Sequence, residues 1–266
     1  MNETANKIAA AKPGFKPKVG IVLGSGLGPM AADVTDPTIL EYRDLPGFPQ
    51  PKVEGHDGRL SLGTIGGTPV AVLQGRSHYY EHGYADAMKI PVRTLHVLGC
   101  EAIILTNAGG SLDAAMQPGS VMLITDHINL VQSSPLYNDT GNERFVDLVG
   151  AYDAGLQERA RRAAQATGLQ LHEGVYVWFS GPHFETPAEV KFARLIGGTA
   201  AGMSTVPEVI LARQIGLKVA GFSIITNLGA GMSDAPLSHE HTMQVAADAA
   251  AGLRRLLNRM ITDWPS

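Results

Sequence analysis

Side chains able to do chemistry gather in a few short segments of this sequence. Arg76-Ser77-His78-Tyr79-Tyr80 sets a guanidinium beside an imidazole. Arg offers a two-pronged fork to an oxyanion, and His donates or accepts next to it. In an extended chain Arg76, His78 and Tyr80 share one face. Gly24-Ser25-Gly26-Leu27-Gly28 follows an apolar run. Such a loop can expose backbone N–H groups to phosphate, with the Ser25 hydroxyl as a further donor. It lacks both the GxGxxG spacing and the P-loop lysine, so taken alone it reads equally as a tight turn. Thr106-Asn107-Ala108-Gly109-Gly110 repeats the pattern of a strand running into a glycine turn. Ser180-Gly181-Pro182-His183-Phe184-Glu185-Thr186 places an aromatic ring and a carboxylate just before a helix start. Phe184 could stack on a flat heterocycle while Glu185 accepts from ring N–H groups; equally, Glu185 could do no more than complement the helix dipole. Asn227 closes an apolar run, and its amide both donates and accepts, which suits the edge of a base or a turn. Metal chemistry is poorly served. His78 and His82 stand four apart without an evident third ligand, and His239-Glu240-His241 is not HExxH.

The elements that must position these groups alternate along the chain. Runs rich in Val and Ile predict strands at Val19–Leu23, Leu60–Ile65, Val70–Gln74, Ala102–Thr106, Val121–Ile124, Val175–Phe179 and Val219–Thr226. Gly66-Gly67 predicts a hairpin between the second and third of these. Thr186-Pro187-Ala188-Glu189 is a capping box with Pro at the first helical position, opening a helix to about Ile196. Thr205-Val206-Pro207-Glu208 repeats that logic for a helix ended by Gly216. Tyr152–Thr167 keeps Leu156, Ala160, Ala163 and Ala164 on one face, and a last long helix starts near Ser238. The expected fold class is α/β, a mixed sheet covered by helices. The polar groups lie just past strand ends, where ligand crevices of α/β sheets form.

Composition narrows the function classes. Charged residues are 17% of the chain and hydrophobic ones 44%, enough for a real core and unlike a disordered segment. A net charge of −4, from 21 basic and 25 acidic residues, argues against a nucleic-acid partner. No stretch reads as a membrane span, and the first twenty residues lack the apolar core of a signal peptide. The single cysteine, Cys100, allows no intrachain disulfide and suits the cytoplasm. No linker interrupts the chain, so one domain over residues 1–266 is expected, with residues 1–17 peripheral or poorly structured.

Together the segments resemble the trimeric, low-molecular-mass class of purine nucleoside phosphorylases. The matching stretches are GSGLG at 24–28, GH at 55–56, GRSHYYE at 75–81, TNAGG at 106–110, SGPHFETPAE at 180–189, GMSTVPEV at 202–209 and TN at 226–227. The resemblance implies a mixed sheet curled toward a barrel and flanked by helices, assembled as a homotrimer. It implies a phosphate site of Ser25, Arg76, His78, the Ala108 backbone N–H and Ser204, with His56 beside it. Tyr80 and Met203 would hold the ribose and His239 would lie near its 5′-hydroxyl. Phe184, Glu185 and Asn227 would bind the base, and Phe145 would be lent to a neighbouring subunit. One departure stands out: His82 occupies a place where Gly is usual, with Gly83 next.

The implied reaction is phosphorolysis: inorganic phosphate, a co-substrate, displaces the purine and leaves ribose 1-phosphate. Neither metal nor organic cofactor is expected. Asn227, Glu185 and His78 would carry the catalysis. Asn227 suits a six-oxo purine, hence inosine and guanosine. A relative of the same fold preferring xanthosine or methylthioadenosine, or a nucleoside binder without turnover, remains open at this stage.

Overall fold

The structure, a computed structural model, describes residues 2–53, 55–233, 238–262 and 264. In chain order its main elements are helix α1 (Asn2–Ala11), strands β1 (Val19–Leu23), β2 (Thr35–Glu41), β3 (Arg59–Ile65) and β4 (Thr68–Gln74), the single turn α2 (Tyr79–His82) and α3 (Lys89–Leu98). Then come β5 (Ala102–Ser111), β6 (Val121–Asn129), α4 (Ala154–Thr167), β7 (Leu171–Trp178), α5 (Pro187–Leu195), β8 (Ala200–Gly202), α6 (Val206–Gln214), β9 (Lys218–Leu228) and α7 (His239–Thr262).

The strands form one sheet in the order β2-β3-β4-β1-β5-β8-β7-β6-β9, and β9 returns to pair with β5. Strands β5, β8, β7, β6 and β9 thus close a small barrel, while β1 to β4 extend from it as an open arm. Strand β5 serves both parts because it is long. Its first half pairs in parallel with β1 as far as Leu105, and its end pairs antiparallel with β8 at Gly110 and Ser111. Strand β1, Val-Gly-Ile-Val-Leu, is buried throughout, as a continuous apolar run in a covered parallel strand must be. Gly66 and Gly67 both take positive φ, 55° and 85°, the primed turn whose twist matches the antiparallel β3–β4 pair it joins.

Helices cover the sheet with the stripes expected of them. Leu156, Ala160, Ala163 and Ala164 of α4 are buried, as are Ala246, Ala250, Leu253 and Leu257 of α7, and these two helices pack on each other. Segments without a strong apolar pattern are the ones missed by sequence. β2 is an edge strand interrupted by Pro37, and β8 is only three residues long. Residues 1–17 are corrected in part: instead of a loose segment, α1 is a helix whose Ala5 and Ile8 are buried in contact with the body of the protein.

Candidate active site

A cavity of about 410 Å³ opens where the arm meets the barrel. Ser25, Arg76, His78, Ala108, Ser204, Tyr80, Met203, His239, Phe184, Glu185 and Asn227 all line it. His56 stands one layer back, its Nε2 3.3 Å from Ser25 Oγ. Phe145 does not reach it. That ring lies elsewhere on the surface, 75% exposed, with the Arg144 guanidinium 5.1 Å from its centroid.

The loop after β1 is stitched to β5 by one hydroxyl. Thr106 Oγ1 donates to Val22 O at 2.9 Å and accepts from Gly24 N at 3.0 Å, which sets Ser25 opposite the second half of β5. Thr106-Asn107-Ala108 is not the turn expected. It lies inside β5, whose ladder with β9 continues through a register shift at Gly109/Gly110. Beyond Leu105, however, β1 no longer pairs with it, so the other edge of β5 is left open over a short gap until β8 begins. Thr106 O points into that gap, and the peptide of Ala108, two residues on, faces the same way. An unpaired backbone donor there is suited to an anion.

Arg76 is 1% exposed and held by Nε to Glu208 Oε1 at 2.6 Å and by Nη1 to Thr106 O at 2.6 Å. Its Nη2 finds no hydrogen-bond partner among the described residues. Tyr80 is not in an extended segment with it, as expected, but in the turn α2. The grouping survives by another route, with the His78 and Tyr80 rings stacked at 4.8 Å. Glu81 fixes His78, its Oε1 accepting from the backbone N at 2.5 Å and lying 3.2 Å from Nδ1. Burial pushes the Glu81 carboxyl up, but the bonds from His78 and from Lys52 N outweigh it and hold the group at about 2. Burial lowers His78, and burial, with the neighbouring His78 and Arg76 adding to it, brings His56 to about 3, so both imidazoles are neutral near pH 7. Gly83, in the left-handed conformation, ends α2 after the unusual His82.

Strands β7 and β8 reach the site from the opposite direction to β5, because the barrel doubles back. The Thr186 capping box is formed as expected, its N donating to Glu189 Oε2 at 2.7 Å, and it starts α5 just after Phe184 and Glu185. Glu185 is raised by burial, with the Glu189 carboxylate adding to the effect. Asn227 accepts from Thr226 Oγ1 at 2.8 Å and donates to Leu228 O at 3.0 Å, which orients its amide and leaves one N–H and one lone pair for a ligand.

The second capping box does not exist. Thr205 sits at φ 73°, and its hydroxyl accepts from Asn107 Nδ2 at 2.8 Å and lies 3.0 Å from Ser204 Oγ. Glu208 turns to Arg76 instead. The roles of Asn107, Thr205 and Glu208 were therefore invisible by sequence pattern: a cap and a long-range pair use the same residue types at the same spacing. Val53 and Thr242 also line the cavity without any local signal. Among the described residues no cluster of three or more His, Cys, Asp or Glu has a metal-holding arrangement.

A family model described as the Phosphorylase superfamily matches residues 18–262. Purine nucleoside phosphorylase 1 of Bacillus subtilis is 43% identical over 93% of both chains. Purine nucleoside phosphorylase of Mus musculus is 42% identical over 85% of this chain and 81% of its own. Among solved structures, Schistosoma mansoni purine nucleoside phosphorylase in complex with inosine is 33% identical with a TM-score of 0.92, covering 100% of this chain and 96% of that one. No helix among the described residues is long and apolar enough to cross a membrane. On these matches and the fold they share, the chain belongs to the phosphorylase superfamily, as an enzyme of its purine nucleoside phosphorylase group.

Proposed function

We propose that this enzyme transfers the ribosyl or deoxyribosyl group of 6-oxopurine nucleosides, such as inosine and guanosine, to inorganic phosphate. The observation that carries this reading is a single cavity with anion donors at one end and base-edge groups at the other. Ser25, the Ala108 N–H, Ser204 and Arg76 supply the donors; Phe184, Glu185 and Asn227 supply the base end. A phosphate oxygen forms the new bond to C1′ while the bond from C1′ to the purine nitrogen breaks, its electron pair passing to the base. The sugar becomes oxocarbenium-like, and the bound anion beneath it offsets that charge. Phosphate is already an anion, so no side chain must activate it, and neither metal nor organic cofactor enters the scheme. The Asn227 amide meets the charge growing on the imidazole ring of the purine.

Base release from inosine and guanosine, followed with and without phosphate, tests the reaction. Release that requires phosphate and yields ribose 1-phosphate is expected; equal release in its absence would mean water is the acceptor. Preference for methylthioadenosine over inosine would overturn the role given to Asn227. Glu185 gives the base end a pH dependence. As a carboxylate it accepts from the N1–H of a 6-oxopurine. Burial raises it above the ordinary 4.5, so that acceptor is lost at a higher pH than an ordinary Glu carboxylate as acid is added. Nucleoside KM is expected to rise on the acid side, and Glu185→Gln should flatten that rise.

The exposed Phe145 ring fits a role in the pocket of a neighbouring copy, and a cytoplasmic homotrimer completes the proposal. Light scattering showing a stable monomer at working concentration would exclude the shared pocket.

A further inference from the structure

Arg76 faces the cavity already bound to an anion of the protein's own. Its partner Glu208 does not line the cavity; it stands behind the guanidinium, in the first turn of α6, and both side chains are sealed from solvent. A Glu three residues past a Thr would ordinarily reach back to cap the helix. Here the Thr205 backbone at φ 73° and its hydroxyl's bonds to Asn107 and Ser204 remove that possibility, and the carboxylate is committed to Arg76 Nε. Nη1 is taken by Thr106 O, which leaves Nη2 as the prong without a partner among the described residues.

We propose that Glu208 is a positioning residue and the fixed counter-anion of Arg76: it aims the fork and weakens its pull, so that phosphate stays exchangeable and the sugar 1-phosphate can leave. This rests on the phosphorolysis proposed above. Two effects of the carboxylate oppose each other. Its bond to Nε holds the guanidinium in place, which favours phosphate. Its charge lies a short distance behind the bound dianion in a dry environment, which disfavours phosphate. A neutral acceptor keeps a large part of the first effect and abolishes the second, and a full charge acting at close range through low dielectric is the larger of the two.

Glu208→Gln therefore makes phosphate bind tighter, its Kd falling by about tenfold. Turnover falls at the same time, because product leaves more slowly, while nucleoside KM stays within about twofold. Glu208→Asp keeps the charge but is one methylene shorter, so phosphate Kd rises and turnover again falls. Opposite shifts in phosphate Kd distinguish this role from a merely structural ion pair, which would lower the folded fraction of both variants and leave the Kd of the folded protein unchanged. The experiment is calorimetric titration of inorganic phosphate into the full-length enzyme and both variants, with steady-state kinetics alongside. Unchanged or weaker phosphate binding by the folded Gln variant overturns the proposal. Should that variant fail to fold, an unchanged Kd in the Asp variant overturns it instead. A wild-type enzyme whose base release ignores phosphate would defeat the functional reading itself, an outcome separate from either.

Discussion

Asn227→Ala lowers kcat by about 10²–10³, the cost of removing one well-placed donor from a developing anion, with a far smaller change in nucleoside KM. The asymmetry follows from when the bond matters. In the bound nucleoside the imidazole-ring nitrogen of the purine is neutral, whereas in the transition state it shares the electron pair leaving C1′. An interaction that strengthens along that path is lost from kcat and from kcat/KM together. The side chain is pre-oriented by Thr226 and Leu228, so little reorganisation is needed as the charge grows. Asn227→Asp separates the donor from the shape. It preserves the acceptor but offers a negative charge where negative charge develops, and kcat for inosine should fall at least as far as in the Ala variant. Steady-state kinetics with inosine at saturating phosphate decides the matter; a loss confined to KM would show that Asn227 only binds.

Arg76→Ala abolishes phosphate-dependent turnover and also destabilises the fold, by about 3–5 kcal/mol, since Glu208 is left buried and unpaired. Activity alone would not separate the two effects. The double substitution Arg76→Met with Glu208→Met does, because well-packed apolar residues in place of a buried ion pair are often neutral or stabilising. Thermal denaturation should show the double variant restored to near wild-type stability, while its base release stays at the level of the single variant. Recovery of activity together with stability would mean that the guanidinium serves the fold and not the anion.

Much of this was legible in the sequence wherever a local physical signal existed. The apolar runs that became β1, β4, β5 and β9 needed only their Val and Ile content, and the Gly66-Gly67 hairpin needed only two residues free to take positive φ. The Thr186 cap was readable because all its partners lie within four residues. The closing of the barrel was not. Nothing in the residues of β5 announces that Leu105 is the last to pair with β1 and Gly110 the first to pair with β8. That knowledge came from the family resemblance, which also added His56, Met203 and Ser204 to the candidate residues and gave each its part of the substrate. Glu208 and Thr205 were misread because their partners, Arg76 and Asn107, are 132 and 98 positions away and leave no periodic trace.

The branch in the sheet divides labour between two halves of the molecule. Ser25, Arg76 and His78 hang from the open arm, whereas Phe184, Glu185 and Asn227 sit on the rim of the closed ring, and β5 alone is common to both. On the proposed assignment, and apart from Ser204, the Ala108 N–H and the Glu208 anchor of Arg76, the nucleophile's seat and the reader of the heterocycle have separate foundations. A lineage could exchange the loops of the rim and accept a different leaving group while the attacking anion, and the backbone that receives it, stayed where they were.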